Sequence, residues 1–155
     1  MHKIIFLDVD GVLNCAATWD GPHADGFDTL DPAMCDNLAQ IVRATQAIVV
    51  LSSTWRLYDD TGLAKLTVWL AERDITIHSH TKDLSLTDPH VSRGKEIALW
   101  LDEHEEEFPR LERNFVILDD MTDMLHSQKS SFVHTSNKDG LTQAHVDKAI
   151  KILTE

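Results

Sequence analysis

Carboxylates recur at close spacing in this chain: Asp8 and Asp10, then Asp119 and Asp120, with Asp123 one turn further on. Two apart on an extended segment, Asp8 and Asp10 point the same way and can face one point. Converging carboxylates without a partner repel, and one of them stays protonated. A divalent cation removes that repulsion, and hard oxygen ligands suit Mg²⁺. Gly11 follows at once; it allows a sharp turn and lets backbone amides approach an anion. Between the acidic groups stand Ser52-Ser53-Thr54, followed by Trp55 and Arg56, and then Arg93-Gly94-Lys95. Hydroxyls and free amides at a strand-to-helix turn suit phosphate oxygens. Lys95 puts a cation at a helix start, where the helix dipole favours an acidic residue; that misfit points to a functional reason for it. Arg56 can pair with a substrate phosphate or, equally, with an Asp such as Asp59. Taken singly, these are a turn, a cap and a surface lysine. Taken in order, they describe a place for a metal and a phosphate.

Each of these groups stands at the end of an apolar run or the start of an amphipathic one. Ile4-Ile5-Phe6-Leu7, Ala47-Ile48-Val49-Val50-Leu51 and Phe115-Val116-Ile117-Leu118 are short continuous apolar runs, as expected of strands covered on both faces of a parallel sheet. Ile75-Thr76-Ile77 and Ser131-Phe132-Val133 are weaker strands. Asp31-Pro32 reads as a helix start, with Met34, Leu38, Ile41 and Val42 at helical spacing. Further helices are marked by Leu63, Leu66 and Leu70, by Ile97, Trp100 and Leu101 after Arg93, and by Val146, Ala149, Ile150 and Leu153 after a capping Thr142. Strands and helices alternate throughout, which predicts an α/β domain: a three-layer, Rossmann-like, doubly wound parallel sheet with a helix in each crossover. Ligands in such sheets bind beyond the carboxyl ends of the strands, where the groups above stand. The longest stretch without a clear element is Asn14 to Leu30.

Length and charge bound the rest. With 155 residues, 43% of them hydrophobic, the chain is one domain spanning 1–155, and composition excludes a disordered chain. No apolar run approaches the ~20 residues of a membrane helix, and the first run stops too early for a signal peptide; a cytoplasmic protein with no membrane partner is expected. The 26 acidic residues against 14 basic ones give a formal net charge of −12, which disfavours long nucleic acid while leaving room for a local basic pocket. Cys15 and Cys35 show no metal spacing and read as free thiols. His78, His80 and His90 lack the partners of a zinc site. Trp69 and Trp100 read as packing, and Trp19 and His23 could contact a leaving group. A monomer is expected.

The chain resembles the haloacid-dehalogenase (HAD) superfamily of phosphotransferases. Asp8-Val9-Asp10-Gly11-Val12, after its apolar strand, is similar to the family's first motif; Ser52 to the second-motif hydroxyl; Lys95 to the third-motif lysine; Asp119-Asp120, with Asp123, to the acidic fourth motif. The segments FLDVDGVLN, LSSTWR, RGKEIALWL and VILDDMTDM resemble a small HAD subgroup whose domains also occur in multidomain RNA repair proteins. The resemblance implies an HAD-like fold with minimal or no cap and a Mg²⁺-dependent phosphomonoesterase. Asp8 is then the nucleophile forming an aspartyl-phosphate, and Asp10 the acid and base. Asp8, the Asp10 carbonyl and Asp120 hold the metal, supported by Asp119. Ser52, or Ser53 if the register is one residue different, and Lys95 hold the phosphoryl oxygens. Gly11, Arg56 and Asp123 complete the substrate's surroundings. An open site suits a terminal phosphate on a nucleotide, an oligonucleotide end or another large substrate. A non-catalytic HAD-like binding or regulatory module and an HAD phosphotransferase are the alternatives.

Overall fold

A computed structural model describes residues 1–19, 30–57 and 60–155, without the side chains of 19, 56, 57, 60 and 61. The elements are β1 (His2–Leu7), α1 (Ala16–Trp19), α2 (Pro32–Thr45), β2 (Ile48–Leu51), α3 (Asp60–Ala71), β3 (Ile77–His80), α4 (Arg93–Glu103), β4 (Arg113–Asp119), β5 (Phe132–His134) and α5 (Gln143–Thr154). The local signals explain most boundaries. Asp31 caps α2 by accepting the Ala33 N–H at 2.9 Å, with Pro32 at the first helical position. Gln46 ends the helix in the left-handed region, its N–H donating to the Val42 carbonyl. Ser92 caps α4 through the Lys95 N–H at 3.2 Å. Among the described residues, no helix is long and apolar enough to cross a membrane.

Among the described residues the strands form one parallel sheet in the order β3-β2-β1-β4-β5. The chain steps outward from β1 to β2 and β3, then returns across to β4 and β5. The order therefore reverses between β1 and β4, where open α/β sheets bind ligands. Two departures from the sequence reading are local. The third strand runs Ile77–His80 rather than from Ile75. The crossover from β4 to β5 contains a 3₁₀ turn, His126–Ser131, and no α-helix; the twelve residues between the strands leave little room for one.

The two faces of the sheet are buried by different helices, as continuous apolar strands require. Ile5, Leu7, Val49, Leu51, Val116, Leu118 and Val133 pack with residues of α2, α3 and α5. Ile4, Phe6, Val50 and Ile117 pack under Ile97, Trp100 and Leu101 of α4. Strand periodicity then decides where the polar ends go. Leu7 is in register with Leu51 and Leu118, and the ladder runs one residue further. Asp8 N–H donates to the Leu118 carbonyl (3.0 Å), Ser52 N–H to the Leu7 carbonyl (2.8 Å) and Thr135 N–H to the Asp119 carbonyl (3.0 Å). Asp8, Ser52 and Asp119 follow the alternation of Phe6, Val50 and Ile117 and so belong to the α4 face.

The expected packing residues are packing residues. Trp100 is buried and its Nε1 donates to Ser79 Oγ at 2.9 Å; Trp69 lies under the Arg73 guanidinium. Cys15 and Cys35 are buried free thiols, and burial pushes the Cys35 thiol up to about 12. His78 meets Glu107 at 3.2 Å and the edges of Trp100 and Phe108. Among the described residues no metal-ligating group includes His78, His80 or His90.

Candidate active site

Three carboxylates meet at the reversal of the sheet. Asp8, Asp119 and Asp120 each offer an oxygen within 4.8 Å of the other two. Asp8 and Asp119 are buried. Burial, reinforced by the neighbouring Asp119 charge, raises the Asp8 carboxyl well above the usual range, against a lowering by Arg93. Burial likewise raises Asp119 to about 6, partly offset by Arg93. Asp119 Oδ1 accepts the Met121 N–H at 2.9 Å, whereas Asp119 Oδ2 is buried without a hydrogen bond from the described residues. A buried oxygen lacking a donor, in a group of hard carboxylate ligands that repel one another, fits a divalent cation such as Mg²⁺.

This arrangement sets a pH dependence. Both carboxyls bind their protons more tightly in the folded protein than in the unfolded chain. Stability is therefore full below the ordinary carboxylate range and is lost as pH rises through about 6. Bound Mg²⁺ reverses the effect by favouring the ionised groups. Thermal midpoints without divalent cation are expected to fall between about pH 5 and about pH 7.5, and added Mg²⁺ to raise the midpoint by several degrees at the higher pH and little at the lower. A Mg²⁺ effect that is equal at both, or absent, contradicts this reading of the cluster.

Asp10 does not join that group among the described residues. β1 ends at Leu7, and the chain turns through Gly11 at a φ of 78°, so the strand alternation that would align Asp8 with Asp10 no longer holds. Asp10 Oδ1 instead accepts Asn14 Nδ2 at 2.9 Å and Trp55 Nε1 at 3.1 Å. Gly11 serves the turn: its N–H donates to Asn14 Oδ1 at 2.9 Å, and its carbonyl accepts Thr135 Oγ1 at 2.7 Å. A Cβ there would fall 2.6 Å from Asn137 Oδ1 and 2.7 Å from Asp120 Oδ2, so glycine lets Asp120 lie over the turn.

The serine register is resolved by hydrogen bonding. Ser53 Oγ accepts the Trp55 N–H at 3.2 Å and helps start the 3₁₀ turn Thr54–Leu57. Ser52 Oγ, equally buried, has no partner among the described residues. Of the two, Ser52 therefore has the hydroxyl open to a new acceptor or donor, at the strand end beside Asp8.

Among the described residues, the cation that meets these carboxylates is Arg93. Arg93 Nη1 donates to the Ser52 carbonyl, and its Nε lies 3.8 Å from Asp119 Oδ2. Lys95 is exposed. Residues two apart on a helix face nearly opposite ways, so α4 cannot turn both toward the carboxylates. Asp123 accounts for the phase: its Oδ2 accepts the Arg93 N–H at 2.8 Å and its carbonyl accepts the Gly94 N–H at 3.3 Å. Asp123 thus anchors the first turn of α4. Gly94 permits the same contact, since a Cβ would meet Leu125 N and Gln128 Oε1 at 2.6 Å.

Sequence reasoning missed Arg93, Asn14, Thr135 and the indole of Trp55. Extending the strand-end rule to the fifth strand points to Thr135; helical phase against Asp123 points to Arg93. His134, next to Thr135, holds Nε2 at 2.9 Å from the Asp120 carbonyl. The side chains of Trp19 and Arg56, and His23 and Asp59 entirely, lie outside the described residues.

A family model described as the HAD domain in Swiss Army Knife RNA repair proteins matches residues 4–146. Comparison with curated proteins and with solved structures gave no match.

Proposed function

Because the chain belongs to the family of HAD domains found in Swiss Army Knife RNA repair proteins, we propose that it is a Mg²⁺-dependent phosphomonoesterase working through an aspartyl-phosphate on Asp8. The observation that carries this reading is the group of buried Asp8 and Asp119 with half-buried Asp120, with the Asp10 carboxylate separate from it and the Ser52 hydroxyl unpartnered among the described residues. A site for binding a metal alone has no use for a second, separately held carboxylate or for an unsatisfied hydroxyl beside the first.

The steps follow from those groups. Asp8, Asp119 and Asp120 would hold Mg²⁺, which would let Asp8 ionise and would offset phosphoryl charge. A carboxylate oxygen of Asp8 attacks phosphorus; the Asp8 O–P bond forms as the ester P–O bond breaks. Asp10 gives its proton to the departing oxygen. In the second half Asp10 takes a proton from water, whose oxygen attacks the phosphorus of the aspartyl-phosphate, releasing inorganic phosphate and restoring Asp8. Ser52 donates to a phosphoryl oxygen, and the Arg93 guanidinium opposes the charge that gathers there.

The family's description supports a polynucleotide end carrying a terminal phosphate as the substrate. The net charge of −12 disfavours a long duplex footprint and leaves the phosphate itself as the main handle. Phosphate release should be measured with and without Mg²⁺ on an aryl phosphate, nucleoside monophosphates and oligonucleotides with 3′- or 5′-phosphates. Mg²⁺-dependent release, fastest on an oligonucleotide end, is the expected result. Release from none of them would leave a metal-binding HAD module and overturn the enzyme reading.

A further inference from the structure

Asp10 is held in a way that the aspartyl-phosphate scheme alone does not require. Both donors reach the same oxygen: Asn14 Nδ2 at 2.9 Å and Trp55 Nε1 at 3.1 Å converge on Asp10 Oδ1. Asn14 is buried, and its own carbonyl oxygen takes the Gly11 N–H at 2.9 Å. That bond fixes which end of the amide faces Asp10, because only the NH₂ end donates. Trp55 is fully buried at 0% exposure, and an indole nitrogen can only donate. Its backbone is fixed in turn by the bond to Ser53 Oγ at 3.2 Å. The residues from Ser52 to Trp55 thus carry both a hydroxyl beside Asp8 and an anchor for Asp10.

We infer that Asn14 and Trp55 are positioning residues for the proton transfer: by occupying Asp10 Oδ1 they assign the travelling proton to Oδ2 and aim that oxygen at the leaving group. This rests on the phosphomonoesterase reading above. A proton on Oδ1 would take a lone pair that one of the two N–H groups uses and displace that bond, so the protonated carboxyl carries its hydrogen on Oδ2. Both donors are neutral. A lysine or arginine in either place would hold Asp10 ionised and impair its turn as an acid; an amide and an indole fix direction while leaving the proton free to come and go. Correct direction matters because proton transfer requires the donor within hydrogen-bond reach of the departing oxygen. The same bonds hold Asp10 where its carboxylate is no part of the Asp8, Asp119 and Asp120 group.

The test uses the dependence on the leaving group. An alkoxide needs a proton to depart; a 4-nitrophenolate hardly does. The kcat/KM for formation of the aspartyl-phosphate should therefore be compared on glycerol phosphate and 4-nitrophenyl phosphate, for the native protein, Trp55→Phe and Asn14→Ser. Phenylalanine keeps a buried ring and removes the N–H. Serine removes the Nδ2 donor to Asp10. General acid–base catalysis supplies about 10²–10⁴-fold, so losing one of its two orienting donors is expected to lower the alkyl-to-aryl ratio of kcat/KM about tenfold. Loss of packing would lower both esters together and leave the ratio where it was. Should Trp55→Phe fail to fold, Asn14→Ser reads the other donor of the same oxygen. An unchanged ratio in the folded variants, whatever happens to the individual rates, overturns the clamp and leaves the phosphatase reading standing. No Mg²⁺-dependent release by the native protein from these esters, the nucleoside monophosphates or the oligonucleotide ends overturns both.

Discussion

Replacing Asp8 by asparagine is expected to reduce Mg²⁺-dependent phosphate release to background, a loss of at least about 10³-fold, since removing an enzyme's nucleophile commonly costs that much or more. The amide can still hydrogen bond but does not attack phosphorus. Stability is expected to move the other way. Asp8 is buried beside Asp119, and its ionised form is disfavoured by burial and by that neighbour. Without divalent cation near neutral pH, Asp8→Asn removes one member of a repelling pair, so its thermal midpoint should equal or exceed that of the native protein. The substituted protein should also lose most of the Mg²⁺-induced rise in midpoint. Activity that survives Asp8→Asn contradicts the nucleophile. Activity lost together with several degrees of midpoint leaves a folding defect as the explanation.

The second large effect separates two neighbouring cations. Arg93→Ala is expected to lower kcat/KM by about 10²–10³-fold, the range seen when a preorganised donor to a developing charge is removed. Lys95→Ala is expected to stay within about threefold, because an exposed lysine on the opposite phase of α4 has little interaction with the site. Arg93→Lys should recover only part of the loss. A lysine keeps the charge but cannot repeat the planar guanidinium's pairing with the Ser52 carbonyl and the Asp119 carboxylate. The reverse order, with Lys95→Ala the more damaging, would return the phosphoryl-binding role to Lys95 and make Arg93 a structural partner of Asp119. Steady-state kinetics on the best oligonucleotide or aryl substrate, with thermal midpoints for each variant, decides between them.

Much of the fold was legible because it depends on local signals. Continuous apolar runs marked three of the five strands, Asp31-Pro32 placed the start of α2 at Pro32, and an apolar helical face after Arg93 placed α4. Parallel strands covered on both faces need no alternation, so short apolar runs identify them directly. The weaker edge strand was displaced to Ile77–His80, since an edge strand is covered less and carries a fainter pattern. The 3₁₀ turn His126–Ser131 replaced a helix that alternation implied, because a crossover's content is set by the space left between strands and not by rhythm.

The residue types of the site were fixed by the sequence alone: carboxylates at the ends of β1 and β4, a serine at the end of β2, and a basic residue opening α4. A strand end is a topological position, and those residues occupy it whatever the packing does. The assignments separated by one or two residues were decided only by the tertiary structure. That the Asp10 carboxylate stands apart from those of Asp8, Asp119 and Asp120 depended on where the chain leaves the strand direction at Gly11. Ser52 was distinguished from Ser53 by which hydroxyl the following turn consumes. Arg93 was distinguished from Lys95 by the rotation of α4, which Asp123 holds from thirty residues away. The two partners of Asp10 Oδ1, Asn14 and Trp55, lie forty-one residues apart in the sequence and carry no spacing signal at all. Direction and hydrogen-bond occupancy are properties of three-dimensional neighbours, and the order of residue types along a chain does not contain them.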